Sequence, residues 1–424
     1  MRFDDLQDWL DWQESLNPKQ IDLGLDRVVT VLAGLGLSAD FSCPVITVAG
    51  TNGKGSTVTF LESILLSAGY TVGCYTSPHL FNYNERIRLN GQTIDDASLC
   101  QAFDCVDQAR ADIPLTYFEF GTLAALYLFS QAQLDVVVLE VGLGGRLDAV
   151  NVIDPDVAMI TTVDIDHVDW LGTDTEQIGY EKAGILRNNR SAVFCALQMP
   201  DSVRQHAIDI QANLLQLGRD YLFQGVGSHF WQCSGPGFHY MNLPVPSLQG
   251  SYQLQNAAGV IQALHLLELD RVRDEAVIAK GLTSARLNGR YQLIKEQPQV
   301  IVDVAHNAQA ARALADQLCS DPVKGQTRAV LGMLADKAVD TVVELLSPVI
   351  DNWYLAGLDV PRGLDHESLL KIVKHGLSDD KLSAHVTVSA ACSQAFEEAD
   401  PDDRIIILGS FYTVAEAIKY INKV

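Results

Sequence analysis

The chain has no C-x-x-C pair. Its eight cysteines (Cys43, Cys74, Cys100, Cys105, Cys195, Cys233, Cys319, Cys392) are scattered. In a chain of this length that scatter predicts reduced thiols rather than disulfides or structural zinc. Long apolar runs are missing too: none approaches the ~18 residues a membrane span needs, so no membrane partner is expected. The opening MRFDDLQDWLDWQES has neither the basic start nor the apolar stretch of a signal peptide, so a cytoplasmic protein is expected. Basic charge is scarce: 30 Lys and Arg stand against 53 Asp and Glu, a net charge of −23. Such a surface repels nucleic acid and anionic membrane. An anionic substrate would therefore need basic residues concentrated at one site. There is no internal repeat and no low-complexity linker.

What is present is an ordinary globular composition, 48% hydrophobic and 20% charged, over 424 residues. That length predicts two or three domains. Strand-like and helix-like runs alternate. PVITVAG precedes a helix with Leu61, Ile64, Leu65 and Ala68 on one face, stopped by Gly69. LDVVVLEVG and DVAMITTVD are continuous apolar runs of strand length, which suit a parallel sheet covered on both faces. The expected class is α/β: a P-loop domain with a mostly parallel sheet, then a smaller Rossmann-like domain. Between them QLGRDYLFQGVGSHFWQCSGPGFHYMNLPVP predicts short antiparallel strands at the edge of the first domain, followed by the helical run NAAGVIQALHLLEL. The boundary is placed near Leu287–Gly289, giving domains 1–286 and 287–424. Ligands sit at the carboxyl ends of strands in such sheets. In the second domain that rule selects Asp303, His306, Asn307, Asp336, Lys337, Gly409 and Ser410. A cleft between two such domains would suit a reaction with two substrates.

Gly50-Thr51-Asn52-Gly53-Lys54-Gly55-Ser56-Thr57 follows the first buried strand. A strand, a glycine-rich turn and a helix start are the parts of a phosphate cradle. Its spacing misses G-x-x-x-x-G-K-[ST] twice: Val48 stands where the first Gly belongs, and Gly55 displaces the hydroxyl to Ser56. This argues against an ordinary switch GTPase but not against phosphate binding. Lys54 can reach outer phosphates, and Ser56 or Thr57 can cap the helix and help hold Mg²⁺.

Other residues admit two readings each. Glu140 ends an apolar strand and either binds Mg²⁺ or pairs with Arg146. Asp164, Asp166, His167 and Asp169 crowd another strand exit, suiting a divalent metal or simply satisfying one another. The LEVGLGGRLDAVN run is no dinucleotide fingerprint, since Leu147 stands at the third Gly. Thr173 and Glu176 form a capping-box pattern. The helix after it puts Ile178, Lys182, Ile185 and Leu186 on one buried face. Lys182 there either snorkels to the surface or is aimed at the active site, as a cation or chemically modified. Ser77 and His79 flank a proline at a strand exit, as a turn or a site. Tyr117, Phe118 and Phe120 surround Glu119 before an apolar helix, as core or as a bed for a flat aromatic substrate.

These segments together resemble the bifunctional dihydrofolate synthase/folylpolyglutamate synthase family, within the Mur-ligase-like ATP-dependent amide ligases. The resemblance rests on IDLGLDRV, VAGTNGKGST, YTSPHL, LTYFEFGTL, VVLEVGLGGRLDAVN, DHVDWLG, EKAGILR, QNAA, NGRYQ, DVAHN, GMLADK and GSFYTV, spread over nearly the whole chain. It implies ATP between two domains, with Thr51, Asn52, Gly53, Lys54, Gly55 and Ser56 at the phosphate loop and Asn256, Arg290 and Asp303 as further contacts. It implies two Mg²⁺ ions on Ser77, Glu140 and His167, and a CO2-derived carbamate on Lys182 that helps the second ion. Pteroate-binding segments match Ile21, Asp22 and Leu23; Thr116, Tyr117, Phe118 and Glu119; and Leu147, Asp148 and Ala149. His306 and Ser410 match positions near the incoming L-glutamate. The chain departs from the family at Asn307-Ala308, often Asn-Pro; at Asn288-Gly289-Arg290, often Pro-Gly-Arg; and at Ala338, where an acid is common.

The implied reaction activates a carboxylate as an acyl phosphate with ATP, after which the glutamate amine displaces phosphate. Its acceptors would be dihydropteroate and the γ-carboxyl of tetrahydrofolate. Lys54, Lys182, His306 and Ser410 would act in catalysis, in a monomer acting on small molecules only. Three rival readings exist. A monofunctional folylpolyglutamate synthase lacks the first activity. A cell-wall Mur ligase needs a further N-terminal domain than the stretch up to Pro44 provides. A non-catalytic nucleotide sensor has no use for Glu140, His167 and Lys182 together.

Overall fold

Apolar runs covered on both faces become the strands of two parallel sheets. The computed structural model describes residues 1–17, 19, 21–250, 252–267 and 269–423. The chain divides into two compact units. One comprises Met1–Ser247 with Gln253–Arg286, the other Leu287–Val424 with Leu248–Tyr252. The piece Leu248–Tyr252 thus belongs with the second unit, although Tyr252 opens the helix Tyr252–Leu266 whose remainder lies in the first.

The first unit's main sheet contains β1 (Val45–Ala49), β2 (Val72–Tyr75), β3 (Ile87–Leu89), β4 (Gln92–Thr93), β5 (Val136–Glu140), β6 (Val157–Ile160), β7 (Ser191–Phe194) and β8 (Asn213–Gln216). Its order is β4-β3-β2-β5-β1-β6-β7-β8. Pairing is parallel from β2 to β8 and antiparallel at β2-β3-β4. Every residue of β1, β2, β5 and β6 is buried, as a sheet layered by helices on both faces requires. The exits of β2, β5, β1 and β6 are therefore consecutive along one edge, the edge where α/β sheets bind ligands.

A separate antiparallel sheet, β9 (Leu222–Val226), β10 (Phe230–Gly235) and β11 (Phe238–Pro244), fills the glycine- and aromatic-rich stretch. It packs through Trp231, Cys233, Tyr240 and Leu243.

The second unit holds β12 (Gln292–Glu296), β13 (Gln299–Asp303), β14 (Thr327–Leu331), β15 (Asn352–Ala356), β16 (Leu382–His385) and β17 (Arg404–Leu408) in the order β12-β13-β17-β14-β15-β16. All pairs are parallel except the β12 edge. The expected α/β class is observed. All eight cysteines are free thiols. Among the described residues no helix is long and apolar enough to cross a membrane.

Candidate active site

The loop after β1 is built by glycine conformation and by stitching to the neighbouring strand exit. Gly53 has φ +90°, in the left-handed region, and caps the helix Lys54–Ser67. A Cβ there would lie 2.8 Å from Asn256 Oδ1. Thr51 N–H donates to Thr162 O (2.8 Å), and Thr51 Oγ1 accepts from Asp164 N–H (3.0 Å). Asn52 N–H donates to Thr162 Oγ1 at 3.1 Å, and Thr161 Oγ1 donates back to Asn52 O at 2.5 Å. Lys54 Nζ folds onto the carbonyls of Gly50 (2.9 Å) and Thr51 (3.3 Å). First-turn N–H groups have no acceptor within their own helix, so this start presents donors to an anion.

One expectation is corrected here. Ser56 and Thr57 do not cap the helix, because Gly53 starts it earlier and places both inside it. Ser56 Oγ instead accepts from Gln253 Nε2 (3.2 Å), and Gln253 Oε1 accepts from Asn256 Nδ2 (3.0 Å). Asn256, on the buried face of the helix Tyr252–Leu266, is thereby fixed against the loop.

Glu140 is the last residue of β5 and is buried. Its Oε2 accepts from Ser77 N–H at 3.2 Å, which joins two of the expected metal-binding residues. The alternative pairing with Arg146 is not what forms: Arg146 bonds Glu181 Oε1 at 2.8 Å, since the loop turns its side chain toward the helix Thr175–Ala183. His79 Nδ1 accepts from Arg86 Nε at 2.9 Å. Burial, and then the Arg86 charge, depress the His79 pKa to about 4. His167 lies at the β6 exit, on the other side of β1 from Glu140, with φ +52° and its Nε2 4.0 Å from Asp166 Oδ1. Among the described residues no three His, Cys, Asp or Glu side chains form a group that could hold a metal ion.

Lys182 does not snorkel; it is 3% exposed near the end of the helix Thr175–Ala183. Burial first, and then the charge of Lys54, lower its pKa to about 7, while Asp166 and Asp148 oppose the shift. Asp148 is pushed up to about 7 by burial, against N–H bonds from Leu143 and Val150 and the charge of Lys54. Two lysines and two aspartates thus share one field. The expected capping box is displaced by one residue. Asp174, not Thr173, caps the helix by accepting from Gln177 N–H at 2.9 Å, a carboxylate being the stronger acceptor. Glu176 accepts from Asp201 N–H (3.1 Å) and Ser202 N–H (2.7 Å), so it serves the next helix, Asp201–Asp209. Ile185 and Leu186 lie past the helix end yet stay buried.

The three segments matched to pteroate binding come together. Tyr117 and Phe118 do not precede the apolar helix; they open it, over Tyr117–Gln131. Thr116 and Glu119 form its reciprocal capping box: Glu119 N–H to Thr116 Oγ1 is 3.2 Å and Thr116 N–H to Glu119 Oε2 is 2.7 Å. Arg27 then ties Glu119 to the 21–23 segment, with Nη2 to Glu119 Oε1 at 2.9 Å and Nη1 to Asp22 Oδ2 at 2.9 Å. Gly24 N–H donates to Leu147 O at 3.3 Å, which brings in the third segment. Phe118 lies over Gly142, where a Cβ would come within 2.6 Å of the ring. The sequence reading missed Arg27. The T-x-x-E spacing at 116–119 marks Glu119 as a cap, but nothing in it points to a cation 92 residues away.

In the second unit the exits of β13, β17 and β14 carry the selected loops side by side. Asp303 accepts from the N–H groups of Tyr291 (2.8 Å) and Ala305 (2.7 Å). Burial raises its pKa, and the Arg290 charge opposes this. Arg290 lies 5.0 Å over the Phe411 ring. His306 Nδ1 meets Val304 O at 2.7 Å, and since a carbonyl only accepts, that nitrogen carries the proton. Asn307 caps the helix Ala308–Ser320. Ser410 caps Phe411–Ile421, its Oγ accepting from Thr413 N–H at 3.0 Å.

A glycine-built loop at the exit of a buried parallel strand, a buried lysine that feels the charge of that loop's Lys54, and a second α/β unit after the first fit the plan of a Mur-type ligase. Two family profiles agree: the Mur ligase middle domain matches residues 112–264, and the Mur ligase glutamate ligase domain matches 289–411. A curated relative, the Escherichia coli (strain K12) dihydrofolate synthase/folylpolyglutamate synthase, is 45% identical over 98% of this chain and 96% of its own length. Two solved structures are similar across the chain. E. coli FolC in complex with DHPP and ADP has TM-score 0.92 and 44% identity, covering 99% of this chain and 98% of that one. The Yersinia pestis bifunctional enzyme complexed with AMPPNP and Mn ion has TM-score 0.91 and 43% identity over the same shares. The chain belongs to the dihydrofolate synthase/folylpolyglutamate synthase family of ATP-dependent ligases.

Proposed function

We propose that the chain joins L-glutamate to dihydropteroate, giving dihydrofolate, and to the γ-carboxyl of tetrahydrofolate, extending a polyglutamate, with ATP converted to ADP and phosphate. The observation that carries the reading is the first unit's sheet edge. There the phosphate loop, the Ser77–Glu140 pair and the Arg27-tied segments arise from neighbouring strands and the helices beside them. A monomer in the cytoplasm, acting on small molecules and not on nucleic acid, fits the acidic surface.

The loop Thr51–Ser56 would hold the nucleotide phosphates through backbone N–H groups, with Asn256 set against it and Lys54 as the neutralising cation. Glu140 and Ser77 offer oxygen donors, which suit a hard cation such as Mg²⁺ bound chiefly by substrate phosphates. His167 is the softer member of the assigned set. When bound, the cation neutralises the phosphates and polarises the transferring phosphoryl group. Lys182, with its pKa lowered to about 7, is largely neutral above that pH, the form that adds CO2. The product is a carbamate and a proton, which replaces a buried neutral amine by an oxygen-donor anion. Asp148, titrating near 7, can donate or accept at the edge of a flat heteroaromatic ring. The Tyr117 and Phe118 rings would bed that ring. In the second unit we assign Arg290 and Asp303 to the nucleotide and His306 and Ser410 to the glutamate.

The test offers purified protein ATP, Mg²⁺ and glutamate with either dihydropteroate or tetrahydrofolate. Glutamate-dependent ADP release with both is expected. Release with tetrahydrofolate alone would make the protein a monofunctional folylpolyglutamate synthase, and release with neither refutes the ligase reading.

A further inference from the structure

The reaction leaves both carboxylates of the incoming glutamate charged while its amine attacks, and a protein of net charge −23 has few cations to meet them. In the second unit the strand exits run in spatial order β13, β17, β14, β15. The first three carry Asp303 and His306, Gly409 and Ser410, and Asp336 and Lys337. The fourth carries Arg362, which neither the sequence reading nor the family resemblance singled out.

Arg362 is held in place with unusual care for an exposed turn. Its φ is +65°, a conformation that bulky L-residues rarely adopt. Ala335 N–H donates to Arg362 O at 2.8 Å and Leu364 N–H to Met333 O at 3.1 Å, and Leu334 bridges to Gly363. The turn is thereby fixed to the β14 exit. That exit is fixed in turn to the β17 exit, where Thr413 Oγ1 donates to Gly332 O at 2.7 Å. The guanidinium is half exposed, and its Nη1 lies 3.1 Å from Asp336 Oδ2. An exposed ion pair of this kind is worth little by itself. The positive φ belongs to a turn closed by Gly363 N–H donating to Val360 O at 2.8 Å, with Pro361 before Arg362. Glycine or asparagine is the usual residue at that place in such a turn, so an arginine there calls for a reason beyond the turn, and strain that aims a side chain is common at ligand sites. A guanidinium carries five N–H donors, so a carboxylate can still be taken bidentate on another edge. The buried arginines of this sheet cannot serve. Arg328 and Arg404 stand at the amino ends of β14 and β17, opposite the exits, and are spent on Asp403 and on Asp321 O.

We propose that Arg362 is a specificity-determining residue that receives a carboxylate of the incoming glutamate, beside Lys337 at the neighbouring exit. This rests on the ligase reading. In Arg362→Gln the KM for glutamate should rise about 10- to 100-fold, as expected for losing one charge-assisted pair. The KM for ATP and the melting temperature should stay near wild type, and Arg362→Lys should fall between, since it keeps the charge but not the fork. A glutamate KM unchanged in Arg362→Gln overturns the inference while leaving the ligase reading intact. So does a parallel rise of both KM values with a lowered melting temperature, which would mark a structural role. Wild-type protein that releases no phosphate with either acceptor overturns both.

Discussion

Replacing Lys182 by methionine should make the protein more stable and inactive at once, a combination that separates a functional buried lysine from a structural one. The amine is 3% exposed and its pKa is lowered from 10.5 to about 7, chiefly by burial. Unfolded, the same amine keeps its proton up to 10.5. Between the two values the unfolded chain binds more protons, so wild-type stability rises with pH across that window. Below about pH 7 both states are charged and the folded one bears the full cost of the buried ammonium. At 1.36 kcal/mol per pH unit that cost is about 3–5 kcal/mol. Lys182→Met, of similar volume, should therefore gain about that much at pH 6. The gain should shrink by about 1.4 kcal/mol per pH unit above 7. Urea titrations in CO2-depleted, nucleotide-free buffer at several pH values would read it from the transition of the first unit. In CO2-containing buffer the wild type should show an intact mass larger by one CO2, lost on acidification and absent from the variant. ADP release by the variant should fall at least 100-fold, about 3 kcal/mol of transition-state stabilisation. A variant with wild-type turnover, or a stability difference that does not change with pH, would refute the reasoning.

Gly53→Ala combines a left-handed φ with a Cβ 2.8 Å from Asn256 Oδ1. It should cost about 1–3 kcal/mol of stability and weaken ATP binding, read by denaturation and nucleotide titration. Arg27→Met leaves the buried Glu119 without its cation and unties it from Asp22. The KM for dihydropteroate should rise severalfold with the ATP KM unchanged and partial recovery in Arg27→Lys; equal effects on both substrates would count against the assignment. His265 stacks on Phe238 at 4.3 Å and meets the Tyr240 hydroxyl at 2.8 Å, with its pKa lowered to about 4 by burial and then by Arg273. Its folded pKa lies below the unfolded 6.5, so stability should fall as pH drops from 6.5 to 4. After discounting for partial exposure the loss is about 1–2 kcal/mol, and His265→Phe should abolish that slope in acid denaturation.

What could be read in the sequence was chemistry that a short stretch decides for itself. The apolar runs of β1, β5 and β6 announce burial on both faces, and a glutamate closing such a run announces a strand exit. β12 and β16 did not declare themselves: Gln292–Glu296 is mostly exposed and Leu382–His385 is four half-buried residues, so neither shows the core side of its pattern. The misplaced cap at Thr173 shows the same limit at one residue, since which of two adjacent acceptors takes the N–H depends on how the chain enters the helix. Pairing across distance was hidden altogether. Arg27 and Glu119 are 92 residues apart, and Ser410 comes between the Asp303 and Asp336 loops only because β17, late in the chain, inserts between β13 and β14. In a chain with 53 acids and 30 bases, most arginines end on an internal carboxylate, as Arg88 does on Glu62 and Arg328 on Asp403. The informative cations are those without an internal carboxylate partner or with room for another: Lys54 turned onto the carbonyls of its own loop, Lys182 buried near a helix end, Arg362 strained at a turn. On the proposed reading an anionic substrate would meet this acidic protein through that small remainder, whose location follows from sheet order more than from any motif.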